Sequence, residues 1–198
     1  MDQKTKRDYQ NFLEISRGEI GRMLDEMEEE PILRAAQIIW DSVDNGGRVH
    51  VSGIGKPAHM AGYAASLLSS TGTPAYFLHG TEAVHGSCGQ LTEKDVVIFI
   101  SNSGETAEMK ATVTAVKNNG CTVIGVSGNP DSWLARQSEV HLTARADREG
   151  GELGRAPRMS IIAELLVLQA LSVVLQSRLN LTAEQYVKWH PGGKLGQL

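Results

Sequence analysis

The sequence predicts an α/β protein of three layers, with helices covering both faces of a five-stranded parallel sheet. Three observations carry that prediction. Five short apolar runs alternate with segments of helical periodicity, the rhythm of strand–helix crossovers. One of them, Asp95-Val96-Val97-Ile98-Phe99-Ile100, is unbroken by polar residues after Asp95, as in a strand buried on both faces. Glycines and hydroxyl residues follow the strand ends, where ligands bind in such sheets.

The elements follow in order. Tyr9, Phe12, Leu13, Ile20, Met23, Leu24 and Met27 recur at steps of three and four, giving an amphipathic first helix. Glu28-Glu29-Glu30 then meets Pro31, a break or a fresh start, and Ile32, Ala35, Ile38 and Ile39 line a second helix closed by Asn45-Gly46-Gly47. Residues 1–46 are thus a helical lead, and 47–198 the core of the same single domain. Strands are expected at Arg48–Ser52, Pro74–Leu78, Asp95–Ile100, Cys121–Val126 and Val140–Thr143. Helices are expected at Pro57–Ser70, Glu105–Asn118, Met159–Arg178 and Thr182–Val187.

Composition narrows the function without naming it. The 198 residues carry 19 Lys plus Arg against 23 Asp plus Glu, a formal charge of −4 that gives no sign of nucleic-acid or anionic-membrane binding. Cys88 and Cys121 form no Cys-x-x-Cys pair, so a disulfide scaffold and a thiolate zinc site are not expected and a reducing cytoplasm fits. The polar start shows no signal peptide. Ile161–Leu175, interrupted by Glu164 and Gln169, falls short of the ~20 residues of a membrane span.

Ser101-Asn102-Ser103-Gly104-Glu105-Thr106 is the strongest motif. It follows the most apolar strand and opens a helix, so hydroxyls and free backbone N–H groups converge where anions bind. Asn102 and Glu105 also have the spacing of a capping box, which is the competing structural reading. A second glycine turn, Ser52-Gly53-Ile54-Gly55-Lys56-Pro57, lacks the downstream acid of a dinucleotide fingerprint and the Ser or Thr of a P-loop. Lys56 at a helix start opposes the helix dipole, a conflict an anionic ligand would relieve and a solvated surface lysine would not need to. Of the histidines, His50, His59 and His141 carry no motif. His79, His85 and Cys88 match no common zinc spacing, so no metal is expected. His85-Gly86 and His190-Pro191-Gly192-Gly193 lie in glycine-rich loops, where side chains reach ligands or merely turn the chain.

From about Gly47 onward the chain resembles a sugar isomerase (SIS) domain, and within that group the arabinose-5-phosphate isomerases. The matching motifs are Gly53-Ile54-Gly55-Lys56, Ser70-Thr71-Gly72-Thr73-Pro74, Glu82-Ala83-Val84-His85-Gly86, Ser101–Thr106, Ser127-Gly128-Asn129-Pro130 and His190-Pro191-Gly192-Gly193. The resemblance implies a flavodoxin-like sheet, a phosphosugar held by Ser52, Gly55, Ser101, Asn102, Ser103, Gly104 and Thr106, and no cofactor. It implies a polar catalytic set of Lys56, His85, Glu108, Glu149 and His190, and a homotetramer whose active sites draw residues from neighbouring subunits. Glu149 is matched through Leu153-Gly154-Arg155-Ala156-Pro157. The sequence departs from the family pattern at Pro57, where Ser is usual, and at Arg158-Met159-Ser160-Ile161, which replaces a hydroxyl-rich run. The chain stops just past the His-Pro-Gly-Gly motif, so the paired CBS domains common in the family are expected to be missing.

The implied reaction is aldose–ketose isomerisation through an enediol, with Glu149 or Glu108 as base and His190 or His85 as acid or ring-opening group. Lys56 would stabilise the enediolate, and the Ser101–Thr106 loop would anchor the phosphate. A sugar-phosphate sensor without catalysis and a 3-hexulose-6-phosphate isomerase are the alternatives.

Overall fold

The computed structural model describes residues 2–192; Gly193, the last residue of the His-Pro-Gly-Gly motif, lies outside them. Two helices lead, α1 (Gln3–Asp25) and α2 (Glu29–Asp44). The crossovers follow: β1 (Val49–Gly53), α3 (Lys56–Ser70), β2 (Ala75–Phe77), the one-turn α4 (Gly80–Ala83) and a 3₁₀ turn at Ser87–Gln90. Next come β3 (Val96–Ile100), α5 (Ala107–Asn118), β4 (Thr122–Ser127), α6 (Trp133–Gln137) and β5 (Val140–Thr143). Two helices close the described chain, α7 (Met159–Ser177) and α8 (Ala183–Trp189).

The strands pair in parallel in the order β2-β1-β3-β4-β5, which is the expected three-layer, flavodoxin-like arrangement. The order reverses direction between β1 and β3. That switch point opens a crevice at the carboxyl edge, because the loops leaving β1 and β3 diverge to opposite faces.

The apolar run of β3 has a simple cause. Val96, Ile98 and Ile100 point into a core shared with α1, α2, α3 and α7, while Val97 and Phe99 point into a second core with α5 and α6. Side chains alternate across a strand, so both halves of the run must be apolar. α7 is apolar on almost every side, although only half of it is buried within the chain. It has a mean hydropathy of 1.9, and its buried face packs against α1, α2, α3 and the sheet core.

The structure differs from expectation in places. The helix expected from Glu105 begins at Ala107, because Thr106 takes an extended cap conformation (φ −58°, ψ 125°). Of the two readings of Pro31, the fresh start holds: it lies in the first turn of α2, where its missing N–H has no helical partner to lose. α4, α6 and the 3₁₀ turn were not anticipated; each is a single turn or little more, too short to show a period.

One buried cluster ties stability to pH. His50, 1% exposed, lies with its Nε2 3.5 Å from Asp95 Oδ2, and Asp95 in turn accepts from the Arg48 and Thr92 backbone N–H groups. Burial pushes the His50 imidazole below its usual value, against the pull of Asp95. The folded chain therefore favours neutral His50 and the unfolded chain takes the proton first, so stability is lost as pH falls below about 6.5. His141 is lowered by burial in the same sense. Thermal melts from pH 7.5 to 5.5 are expected to show a falling midpoint, and His50→Gln a shallower fall. An equal slope in the variant would assign the effect elsewhere.

Candidate functional site

The loop after β3 is built to present its backbone. Ser101, buried, accepts from the Gly104 N–H at 3.2 Å and its hydroxyl lies 3.3 Å from that of Thr106. Ser103 accepts from the Glu105 N–H at 3.2 Å. Gly104 has φ +65°, and a Cβ there would collide with Ser132. The loop after β4 and the first turn of α6 support it from behind: Gly128 donates to the Asn102 carbonyl at 2.9 Å and Leu134 to the Gly104 carbonyl at 3.1 Å. This accounts for Ser127-Gly128-Asn129-Pro130 as a scaffold motif.

The capping-box reading of Asn102 and Glu105 does not hold. Glu105 reaches away from the loop, accepting from the Trp133 N–H at 2.7 Å, which starts α6, and pairing with Lys110 at 2.6 Å. Those two contacts hold its carboxyl below the usual range. The α5 cap, Thr106, makes no side-chain hydrogen bond to its own helix. The first-turn N–H groups of α5 are thus left to a ligand or to water, beside three hydroxyls.

Across the switch point, Gly55 caps α3 at φ 68°, ψ −130°, a conformation open to glycine alone. A Cβ on Gly53 would come within 2.8 Å of the Pro57 backbone, so the strand end and helix start pack without a gap. Pro57 fits because it falls in the first turn. Ser52 is fully buried and its hydroxyl has no partner among the described residues. Lys56 is exposed at the head of α3, and Glu108 is exposed in the first turn of α5. His85 is exposed after α4. His79 caps α4, accepting from the Glu82 N–H at 3.3 Å. No cluster of three metal-ligating side chains occurs among the described residues.

Glu149 has a structural task. Its Oε2 accepts from the N–H groups of Arg158 (2.6 Å), Met159 (2.8 Å) and Ser160 (3.2 Å), capping α7. Burial works against the anion, but Ser160 and the backbone donors outweigh it and hold the carboxyl below its usual value. The Arg158 guanidinium closes the same loop by donating to the Gly150 carbonyl at 2.9 Å. Here the departure Arg158-Met159-Ser160 finds its role, which is to fasten the loop that carries Glu149. Beneath it lies a residue that no sequence motif marks. Glu164 is wholly buried, neither carboxyl oxygen has a partner among the described residues, and burial together with the nearby Glu149 pushes it up to about 8. Its only advance signal was its interruption of an apolar run.

His190 lies at the opposite end of α3 from Lys56. It stacks on Tyr186 with ring centroids 4.0 Å apart, and its Nδ1 lies 2.8 Å from the Tyr186 carbonyl oxygen. The adjoining Trp189 packs on Gly72, where a Cβ would meet the indole at 3.0 Å. Gly72 follows α3, and Lys56 begins it. The 15 residues of α3 span about 22 Å, so within one chain His190 sits at the amino edge of the sheet, far from the crevice. Concavities of about 650 and 680 Å³ occur at the amino edge near Lys94 and Lys117 and beside β5 near His141 and Arg145. None of the predicted site residues lines either one.

Comparison with known proteins gives a consistent picture. Residues 44–174 match the SIS domain family. Over 151 residues the chain is 43% identical to the arabinose 5-phosphate isomerase KdsD of Pseudomonas aeruginosa, covering 76% of this chain and 46% of that one. It thus spans about half the length of the curated relatives it matches. An Escherichia coli CFT073 protein solved in complex with arabinose 5-phosphate superposes with a TM-score of 0.82 at 31% identity, covering 96% of this chain and 100% of that one. A Listeria monocytogenes protein superposes at 0.88 with 28% identity, over 97% of this chain and 100% of that one.

Proposed function

Because the chain belongs to the SIS domain family, we propose that it is a phosphosugar aldose–ketose isomerase interconverting D-arabinose 5-phosphate and D-ribulose 5-phosphate. The observation that carries this reading is the uncapped start of α5, ringed by Ser101, Ser103 and Thr106 and set across the switch point from Gly55 and Lys56. A phosphate monoester fits there: the N–H groups and hydroxyls donate to its oxygens and the helix dipole favours its charge. The narrower choice of sugar is supported by the KdsD relatives and by the Escherichia coli complex with arabinose 5-phosphate.

The chemistry we assign uses the polar set that the family resemblance implies. With the phosphate anchored, remote binding energy holds C1 and C2 of the open-chain sugar in place. Glu149 is already ionised and fixed by three N–H donors, so it has one defined orientation in which to take a proton from C1 or C2 and return it to the other. Lys56 supplies positive charge where the enediolate develops, and a histidine moves the hydroxyl and carbonyl protons. The position of His190 at the far edge supports an active site completed by a second copy of the chain. We therefore assign a homo-oligomer, with the tetramer the family resemblance implies. The two free cysteines suit a cytoplasmic setting.

The test is direct. Purified protein incubated with D-arabinose 5-phosphate is expected to form D-ribulose 5-phosphate, and the reverse, with no added cofactor. Tight binding of either sugar phosphate without turnover would replace the isomerase with the sensor. Turnover of 3-hexulose 6-phosphate in preference to both pentoses would move the substrate.

A further inference from the structure

Glu164 is a carboxyl that the reaction above does not use. It lies on α7 in the stripe Ser160, Glu164, Leu168, Leu171 and Leu175, all buried. Neither carboxyl oxygen has a hydrogen-bond partner among the described residues, and the Ser160 hydroxyl one turn back is likewise unpartnered; the core beneath α7 is apolar, with Ile32, Ala35, Ala36 and Ile39 from α2 and Ala61, Ala64, Ala65 and Leu68 from α3. Of the charged groups on α1, Glu19 is engaged with Arg22 and with the Asp147 N–H, and Glu14, Arg17 and Asp25 are exposed, as are Arg34, Asp41 and Asp44 of α2. Lys56 and His59 of α3 are exposed. No ion pair reaches Glu164 among the described residues, and the charge acting on it is that of Glu149. A buried carboxyl with neither donor nor cation takes its uncharged form.

The two carboxyls are linked by one helical turn. Ser160 gives its N–H to Glu149, and Glu164 is four residues on along the same face, with about 5–6 Å between Cβ atoms. A second negative charge at this place would act on the carboxylate through a low-dielectric core.

We propose that Glu164 is a positioning residue for Glu149: an uncharged carboxyl packed behind the α7 cap, it keeps a second, unpaired negative charge away from Glu149 and sets the alkaline boundary of the reaction. The proposal rests on Glu149 being the base. Below the boundary the cap carries one charge and the loop 149–158 stays fastened to α7. Above it, Glu164 loses its proton to solvent. The new buried anion repels Glu149 and the enediolate alike, and it loosens the first turns of α7.

Two readouts test this on the full chain. In ¹³C-carboxyl NMR of the protein alone, the Glu149 resonance is expected to show a second step near pH 8, absent in Glu164→Gln. The pH profile of kcat with D-arabinose 5-phosphate is expected to drop about five- to tenfold between pH 7 and 9, with KM moved much less. Glu164→Gln should remove that alkaline limb, and Glu164→Leu should do so too if the Gln variant fails to fold. An alkaline limb unchanged in both variants, or a Glu149 resonance with no step in the wild type, would overturn the proposal. Absence of any wild-type turnover would instead overturn the isomerase reading, and the NMR titration would still decide whether Glu164 and Glu149 are coupled.

Discussion

Glu149→Gln is expected to lower kcat by about 10²–10⁴-fold, the range that removal of a positioned acid–base group produces, while the chain still folds. The amide oxygen of Gln can accept from the Arg158, Met159 and Ser160 N–H groups that now hold Oε2, but without a charge. The lost capping strength is about 1 kcal/mol, or roughly 2–4 °C in melting midpoint for a chain of this size. KM for the phosphosugar should move little, because in the proposed mode of binding the phosphate is held at α5. The two measurements separate the two tasks of this residue. A lowered midpoint with kcat retained within threefold would make Glu149 a cap and nothing more. The low-lying ionisation of Glu149 adds a sign: its contribution to stability is present above the ordinary carboxylate range and is lost as pH falls through its depressed folded value.

Gly104→Val should have the second large effect, this time on binding. Its φ of +65° lies where a β-branched residue is strained by about 1–3 kcal/mol, and the new side chain would meet Ser132 head-on. The turn would have to open, taking the Ser101 hydroxyl and the α5 N–H groups out of register. Loss of two charge-assisted hydrogen bonds at about 1.5–3 kcal/mol each predicts a KM for D-arabinose 5-phosphate raised ~10²-fold or more. Binding of inorganic phosphate, measured by calorimetry, should weaken in parallel. A variant that binds both ligands as the wild type does would move the phosphate away from this loop.

Much of the architecture was legible because its causes are local. The two-sided burial of β3 wrote itself into Val96–Ile100, and the glycine turn at Gly55 into the residues between strand and helix. The Ser101–Thr106 loop could be recognised for the same reason, since the bonds of its Ser101 and Ser103 hydroxyls close within six residues; the bracing from Gly128 and Leu134 could not. What could not be read depends on distant partners. Glu105 looked like half of a capping box, and only the fold brings Trp133 within its reach. Glu149 showed nothing of its hold on α7, which bridges nine to eleven residues of irregular loop. Glu164 was merely a charge in an apolar helix until burial removed every partner. The wide separation of His190 from Lys56 follows from α3 and α8 together, and no motif spacing encodes it.

That separation reaches beyond the single chain. If the histidine at one edge serves a crevice on another copy, catalytic competence belongs to the assembly and not to the folded subunit. Dilution would then silence the protein while its far-ultraviolet spectrum stayed native, and lost activity would return on reconcentration. A defective copy would also spoil more than its own share, because each subunit lends a group to a neighbour. Mixtures of intact and His190-lacking chains would fall short of the activity their proportions predict for independent sites.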